Sequence, residues 1–305
     1  MLNCASMTTQ TRTAVALLLC TGTLLGAYFP LGKLATQASV PSVTWSWVIS
    51  TGATVVLGLV AALTRRSVPF QGRHLRYYTL SAAISFVAPN LIVFAAIPRL
   101  GAGFAAVMYT LSPVLTLAFS VLMRLRRPDR TGVLGIAVGL IGALVIVFSR
   151  GQVDRPGDPV WLGIALLIPV LLAAGNVYRT IDWPAKADPL SLAVGSNAFA
   201  ASMLLVIGFA TQGTGFLAPL RAVLPLAATQ MITSAGMFAL FFRLQQVGGP
   251  VFLSQIGYVG AAVGLVTGVL VLGERYPATT WLGALVVAVG VALVTYSQAR
   301  QDQAR

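Results

Sequence analysis

Tyr109 and Ser112 stand three residues apart in an apolar stretch, on one face if the stretch is helical, and Pro113 beside them interrupts the local backbone ladder. Ser254, Gln255 and Tyr258 repeat the theme near Gly257 and Gly260, where missing side chains let a helix or a ligand come close. Gln230, Ser234, Met237 and Phe238 follow one another at helical spacing, as do Phe86, Asn90 and Phe94. Tyr28 lies beside Pro30, and Asn176 and Tyr178 follow Pro169. Hydroxyls, amides, rings and thioethers in this pattern bind rather than catalyse. They suit the ammonium and carboxylate of a zwitterion without a fixed protein charge, and an apolar side chain against the aromatic and methionine walls. Each residue also has a plainer reading, as an interhelical hydrogen-bond partner or an interface residue.

Other chemistry finds no support. The acidic residues Asp129, Asp154, Asp158, Asp182, Asp188, Glu274 and Asp302 fall in loops, tails or helix ends, so the carboxylate that a proton- or sodium-coupled carrier holds within the membrane is not expected. Lys33, Arg99, Arg179, Arg221 and Arg243 sit at span ends. With no arginine or lysine at the middle of a span, a neutral or zwitterionic ligand is favoured over a phosphate ester; Arg179 and Arg243 are candidates for a cytoplasmic mouth, with snorkelling to the interface as their default reading. Glu274 reads as a turn-stabilising residue. His74 has no second ligand nearby, and Cys4 and Cys20 form no redox motif, so no metal, cofactor or disulfide is expected. There is no Walker A, HExxH or GxSxG sequence to suggest an ATPase or a membrane enzyme, the competing class.

Such groups need elements to hold them, and these are membrane helices. Of 305 residues 57% are hydrophobic and 9% charged, with a mean hydropathy of +0.86. Between Arg12 and Lys33 lie 20 uncharged residues, and between Arg76 and Arg99 there are 22, each matching the ~20 residues that cross ~30 Å of hydrocarbon. The pattern predicts ten spans, near 13–34, 43–64, 76–97, 102–123, 131–149, 160–179, 190–210, 222–242, 250–272 and 279–297. The first reads as an anchor rather than a cleaved signal. With both termini cytoplasmic, 14 of the 20 basic residues face the cytoplasm. The net charge of +13 then reflects short juxtamembrane clusters facing anionic lipid, not a nucleic-acid partner.

The spans divide into two units, 13–149 and 150–297, between cytoplasmic tails 1–12 and 298–305. VLGIAVGLIGALVIV (133–147) aligns with WLGALVVAVGVALVT (281–295), matching Gly135 to Gly283 and Gly142 to Gly290; RLGAG (99–103) aligns with QVGGP (246–250), and Gly26 falls near Gly175. An odd number of spans per unit inverts the second copy with respect to the first, an architecture of transporters. The stripe Gly135, Gly139 and Gly142 reads as a helix-packing face.

VLGERYPATTWLGALVVAVGV (271–291) resembles the end of an EamA-type repeat of the drug/metabolite transporter superfamily, and RLRRPDRTGVLGIAVGLIGA (124–143) echoes it with Arg126 where that family usually has glutamate. Among members, the chain is most similar to bacterial amino-acid exporters of the YddG type. The resemblance implies an all-α, ten-helix monomer in the inner membrane, with a central cavity lined by helices 1, 3, 4, 6, 8 and 9. The residues named at the outset become its expected substrate contacts. The expected activity is uncoupled export, or exchange, of small zwitterionic metabolites, foremost aromatic and apolar amino acids. Amphiphilic drugs or nucleosides are the alternative cargo.

Overall fold

A computed structural model describes residues 9–125, 129–149, 159–272 and 277–303. Glu274, Arg126, Arg127, Arg150, Asp154, Arg155, Asp158, Arg275, Arg305 and Cys4 lie outside the described residues. Within them all regular structure is helical: α1 (Thr9–Gln37), α2 (Ser42–Leu63), α3 (Arg73–Ser81), α4 (Ala88–Leu122), α5 (Arg130–Ser149), α6 (Pro159–Ala165), α7 (Leu167–Ile181), α8 (Pro189–Gln212), α9 (Leu224–Ser254), α10 (Ile256–Leu272) and α11 (Ala278–Gln303). In hydrocarbon a helix satisfies each backbone N–H and C=O within its own segment, which is why chains this apolar take no other form. Runs at Arg12–Gln37, Ser42–Leu63, Arg73–Arg99, Gly163–Ile181 and Pro189–Ser254 are long and apolar enough to cross a membrane, the last with 66 residues. Leu63, Leu122, Val206 and Leu270 keep apolar side chains exposed on the outside, as a lipid-facing surface requires. The protein is an all-α integral membrane protein.

The helix ends depart from the expected spans in places that matter. The third span passes through a π-helical segment, Ala82–Val87, which joins α3 to α4. Helical hydrogen bonding then continues from Ala88 to Leu122, through the expected third-to-fourth linker. The sixth span is divided between α6 and α7, and the expected loop after α8 is a 3-10 helix, Gly213–Val223. Gly249, at φ 72°, kinks α9 between the eighth and ninth spans, a conformation open to glycine, and Pro250 follows without an N–H to donate. The ninth span itself breaks at Gln255, between α9 and α10.

The packing follows the repeat. α1 (first span) lies along α10 (ninth), and α7 (sixth) lies along α4 (fourth); α2 (second) pairs with α8 (seventh), and α5 (fifth) with α11 (tenth). Exchanging the two halves turns the first pair into the second and leaves the other two pairs unchanged. The glycines obey the same exchange. A Cβ on Gly142 would lie 2.7 Å from Gly283 O, and one on Gly135 would lie 2.9 Å from Gly290 O, so α5 and α11 touch backbone to backbone and run antiparallel. On α2 and α8, Thr44 Oγ1 donates to Phe216 O (3.0 Å) just past α8, while Gly58 faces Val194 near its start, again antiparallel. Equivalent helices running in opposite directions are what inverted repeats produce.

Candidate functional site

The halves border a cavity with about 620 Å³ of empty space, counting the space that opens to solvent. α1 contributes Leu25 and Tyr28; the π segment and α4 contribute Ser85, Phe86, Asn90, Tyr109 and Ser112. α7 supplies Leu172, Asn176 and Arg179, and α9 supplies Met237, Phe238, Phe241 and Ser254. Ile256 and Gly257 of α10 complete the lining. Phe86 meets Phe238 edge to face at 4.9 Å, and Phe241 stands 6.1 Å from Phe238. Tyr109 packs edge-on to Phe29 at 5.7 Å. A Cβ on Gly257 would lie 2.7 Å from Tyr109 O, so the halves meet there without an intervening side chain.

Nine of the residues expected at a site lie together in this lining: Tyr28, Phe86, Asn90, Tyr109, Ser112, Asn176, Met237, Phe238 and Ser254. Tyr28 is buried, and its hydroxyl lies toward Ser234 without completing a hydrogen bond. Six lie elsewhere. Phe94, eight residues beyond Phe86, has rotated about 80° off that face and covers Gly32 of α1. Gln230 shares the face of Met237 but sits seven residues, roughly 10 Å, along the helix; its Nε2 donates to Ser234 Oγ (3.1 Å), which donates back to Gln230 O (2.7 Å). Tyr178 turns away from Asn176 and donates to Asp182 Oδ2 (2.7 Å). Tyr258 donates to Ile136 O (3.1 Å) in α5, with its ring over Gly139 and beside Val287 of α11. The break at Gln255 explains that placement, because the helical register that would put Ser254 and Tyr258 on one face is not continuous. Gln255 is buried with neither side-chain polar atom hydrogen-bonded.

The largest departure concerns Arg179, expected to snorkel at a helix end. Its side chain is 1% exposed and borders the cavity. Nε donates to Gln245 Oε1 (3.0 Å), a terminal nitrogen to Asn176 Oδ1 (2.7 Å), and the other terminal nitrogen to Ser85 Oγ. The guanidinium also stands 4.8 Å from the Phe241 ring centroid and 5.6 Å from that of Phe86. Asn176 Nδ2 reaches Thr116 Oγ1 of α4 (3.3 Å), and Gln245 Nε2 reaches Asn176 O and Thr180 Oγ1, both at 2.8 Å. This network ties α7 to both halves at one end of the cavity. Beyond it, Asp182 accepts from Arg73 Nε (3.0 Å), from Arg76 and from Tyr178, and Arg66 pairs with Asp188 at 2.5 Å. Burial pushes the Asp182 carboxyl up, but the hydrogen bonds from Arg76, Tyr178 and Arg73 outweigh it and hold it below the usual carboxylate range.

The EamA-like transporter family profile matches residues 12–148 and again 161–296. The chain belongs to the EamA-like transporter family. This EamA-like chain is 25% identical to the uncharacterized inner membrane transporter YicL of Salmonella typhimurium over 231 residues, 73% of this chain and 74% of YicL. It is 28% identical to the uncharacterized inner membrane transporter YedA of Escherichia coli K12 over 222 residues, 68% of this chain and 67% of YedA. A solved crystal structure superposes with a TM-score of 0.71 at 16% identity, covering 95% of this chain and 99% of the other, which shows a shared fold.

In this EamA-like transporter the lining residues outside the expected substrate contacts are Arg179, Ser85, Phe241, Leu25, Leu172, Ile256 and Gly257. A signal existed for some. Leu172, Asn176 and Arg179 fall at i, i+4 and i+7, and Phe241 lies three after Phe238, so each extends a face already marked by an expected residue.

Proposed function

We propose that this protein is a multi-pass inner-membrane carrier that moves small amphiphilic metabolites, aromatic and apolar amino acids among them, by alternating access. The cavity between the two halves carries this reading, because it combines stacked aromatic and apolar walls with a polar end built from α4 and α7. Units 13–149 and 150–297 act as the two rocking bodies. Both termini face the cytoplasm, which places the Arg73–Asp182–Arg76 cluster on that side. The names of the relatives YicL and YedA support the inner membrane. No carboxylate lines the cavity among the described residues, which favours facilitated diffusion or exchange over proton coupling. The carrier works in the export direction, as a monomer and without a cofactor.

Uptake of labelled phenylalanine, methionine and threonine into proteoliposomes, with and without an imposed proton gradient, tests it. Saturable uptake with counterflow that ignores the gradient is expected. No uptake of any of the three overturns the amino-acid assignment and turns attention to nucleosides and amphiphilic drugs.

A further inference from the structure

We propose that Arg179 is the anion anchor of the cavity, so that the site selects amphiphilic monocarboxylates and does not require the α-ammonium of an amino acid. The inference rests on the reading of this cavity as the transport site.

A guanidinium stays charged at neutral pH and offers five N–H groups. Three are used, toward Gln245, Asn176 and Ser85, and all three acceptors are neutral. One N–H on each terminal nitrogen is left without an acceptor among the described residues, at a side chain that is 1% exposed and borders the cavity. A buried charge without a counterion is unfavourable unless something compensates it. Dipoles and the faces of Phe241 and Phe86 do so in part. Asp182, three residues on, is engaged by Arg73 and Arg76, so the four groups together carry a net positive charge.

A carboxylate entering the cavity supplies what is missing, since the two spare N–H groups sit on the pair of nitrogens that carboxylates bridge in bidentate fashion. Its apolar body then rests on Phe86, Phe238, Phe241 and Met237. An ammonium has no matching partner among the described lining residues, where neutral dipoles such as Asn90, Tyr109 and Ser112 face it and the nearby guanidinium repels it. Arylalkanoates are thus accepted as well as amino acids, and aryl amines are disfavoured.

The purified full-length chain is titrated calorimetrically with 3-phenylpropionate and with phenethylamine. The same two compounds then compete with labelled phenylalanine in proteoliposomes. 3-Phenylpropionate is expected to bind and to compete at least as well as unlabelled phenylalanine, with phenethylamine weaker by about tenfold or more, the worth of one charge-assisted hydrogen bond. Arg179→Gln should abolish that preference and Arg179→Lys should retain part of it; the comparison on the unaltered protein stands even if both variants fold poorly. Equal binding of acid and amine, or binding of neither, overturns the anchor. Phenylalanine uptake inhibited equally by both compounds sinks the anchor and leaves amino-acid transport standing. Binding of 3-phenylpropionate without phenylalanine uptake does the reverse.

Discussion

Arg179 Nε donates to Gln245 Oε1 at 3.0 Å, joining the sixth span to the segment just before the Gly249 kink. Gln245 also donates to Asn176 O and Thr180 Oγ1, so one buried amide fixes both the charge and the helix that carries it. Gln245→Leu keeps the volume and removes every one of these partners. It should cost about 1–3 kcal/mol, the penalty for leaving buried polar groups unsatisfied. A lowered unfolding temperature of the detergent-purified variant, with transport reduced in step, is the expected result, and an unchanged melt would contradict it.

Tyr109 and Tyr258 occupy matching helices of the two halves but have different jobs. Tyr109 lines the cavity, whereas Tyr258 binds α5 through Ile136 O. Tyr109→Ala should raise the KM for labelled phenylalanine severalfold. Tyr258→Phe should leave KM alone and lower stability by about 1 kcal/mol, the worth of one buried hydrogen bond. Steady-state uptake set beside thermal melts separates the two; a KM change in Tyr258→Phe would move that residue back to the substrate path.

Asp182 is held ionised by Arg76, Tyr178 and Arg73 against the opposing effect of burial. A carboxyl lowered in the folded state stabilises above its unfolded pKa of about 4 and loses that contribution as pH falls through the folded value. Asp182→Asn should therefore melt below the unaltered protein by a constant margin from pH 5 to 8, and the margin should close below about pH 4. A margin that instead grew on acidification would show that the carboxylate is not what holds the cluster.

Gly290 and Gly163 predict opposite outcomes for the same kind of change. A Cβ at Gly290 would lie 2.5 Å from Gly139 N and 2.6 Å from its Cα, both backbone atoms that cannot yield, whereas a Cβ at Gly163 meets nothing within 4 Å among the described residues. Gly290→Leu should separate α5 from α11 and give aggregated protein on size exclusion. Gly163→Ala should be monodisperse and stabilised by about 0.5–1 kcal/mol through helix propensity. Monodisperse, normally melting Gly290→Leu would mean that α5 and α11 need not touch.

Most of the fold was legible because a bilayer imposes it: runs of about 20 apolar residues must be helices, and the spacing of Gly135 and Gly142 reappears at Gly283 and Gly290. The break at Gln255 and the π segment at Ala82–Val87 were less so, since each lies inside an apolar run that by length alone reads as one unbroken span. The cavity lining follows the sequence where a face continues through an unbroken helix, as from Asn176 toward Arg179 or from Met237 to Phe241. Expected residues fall outside the lining where the register shifts, as at Tyr258, or where a face runs past the cavity, as at Gln230.

By itself the sequence determined that this chain is a membrane protein built from two related sets of helices, because hydrophobic length and repeated glycine spacing are local properties of the chain. Only the tertiary structure decided what Arg179 does. A charge near a helix end is equally at home in the headgroups or against a neighbour, and the choice was made by Gln245, Ser85 and Phe241. Those residues lie 66, 94 and 62 positions away in the chain and come within reach when the halves close around the cavity.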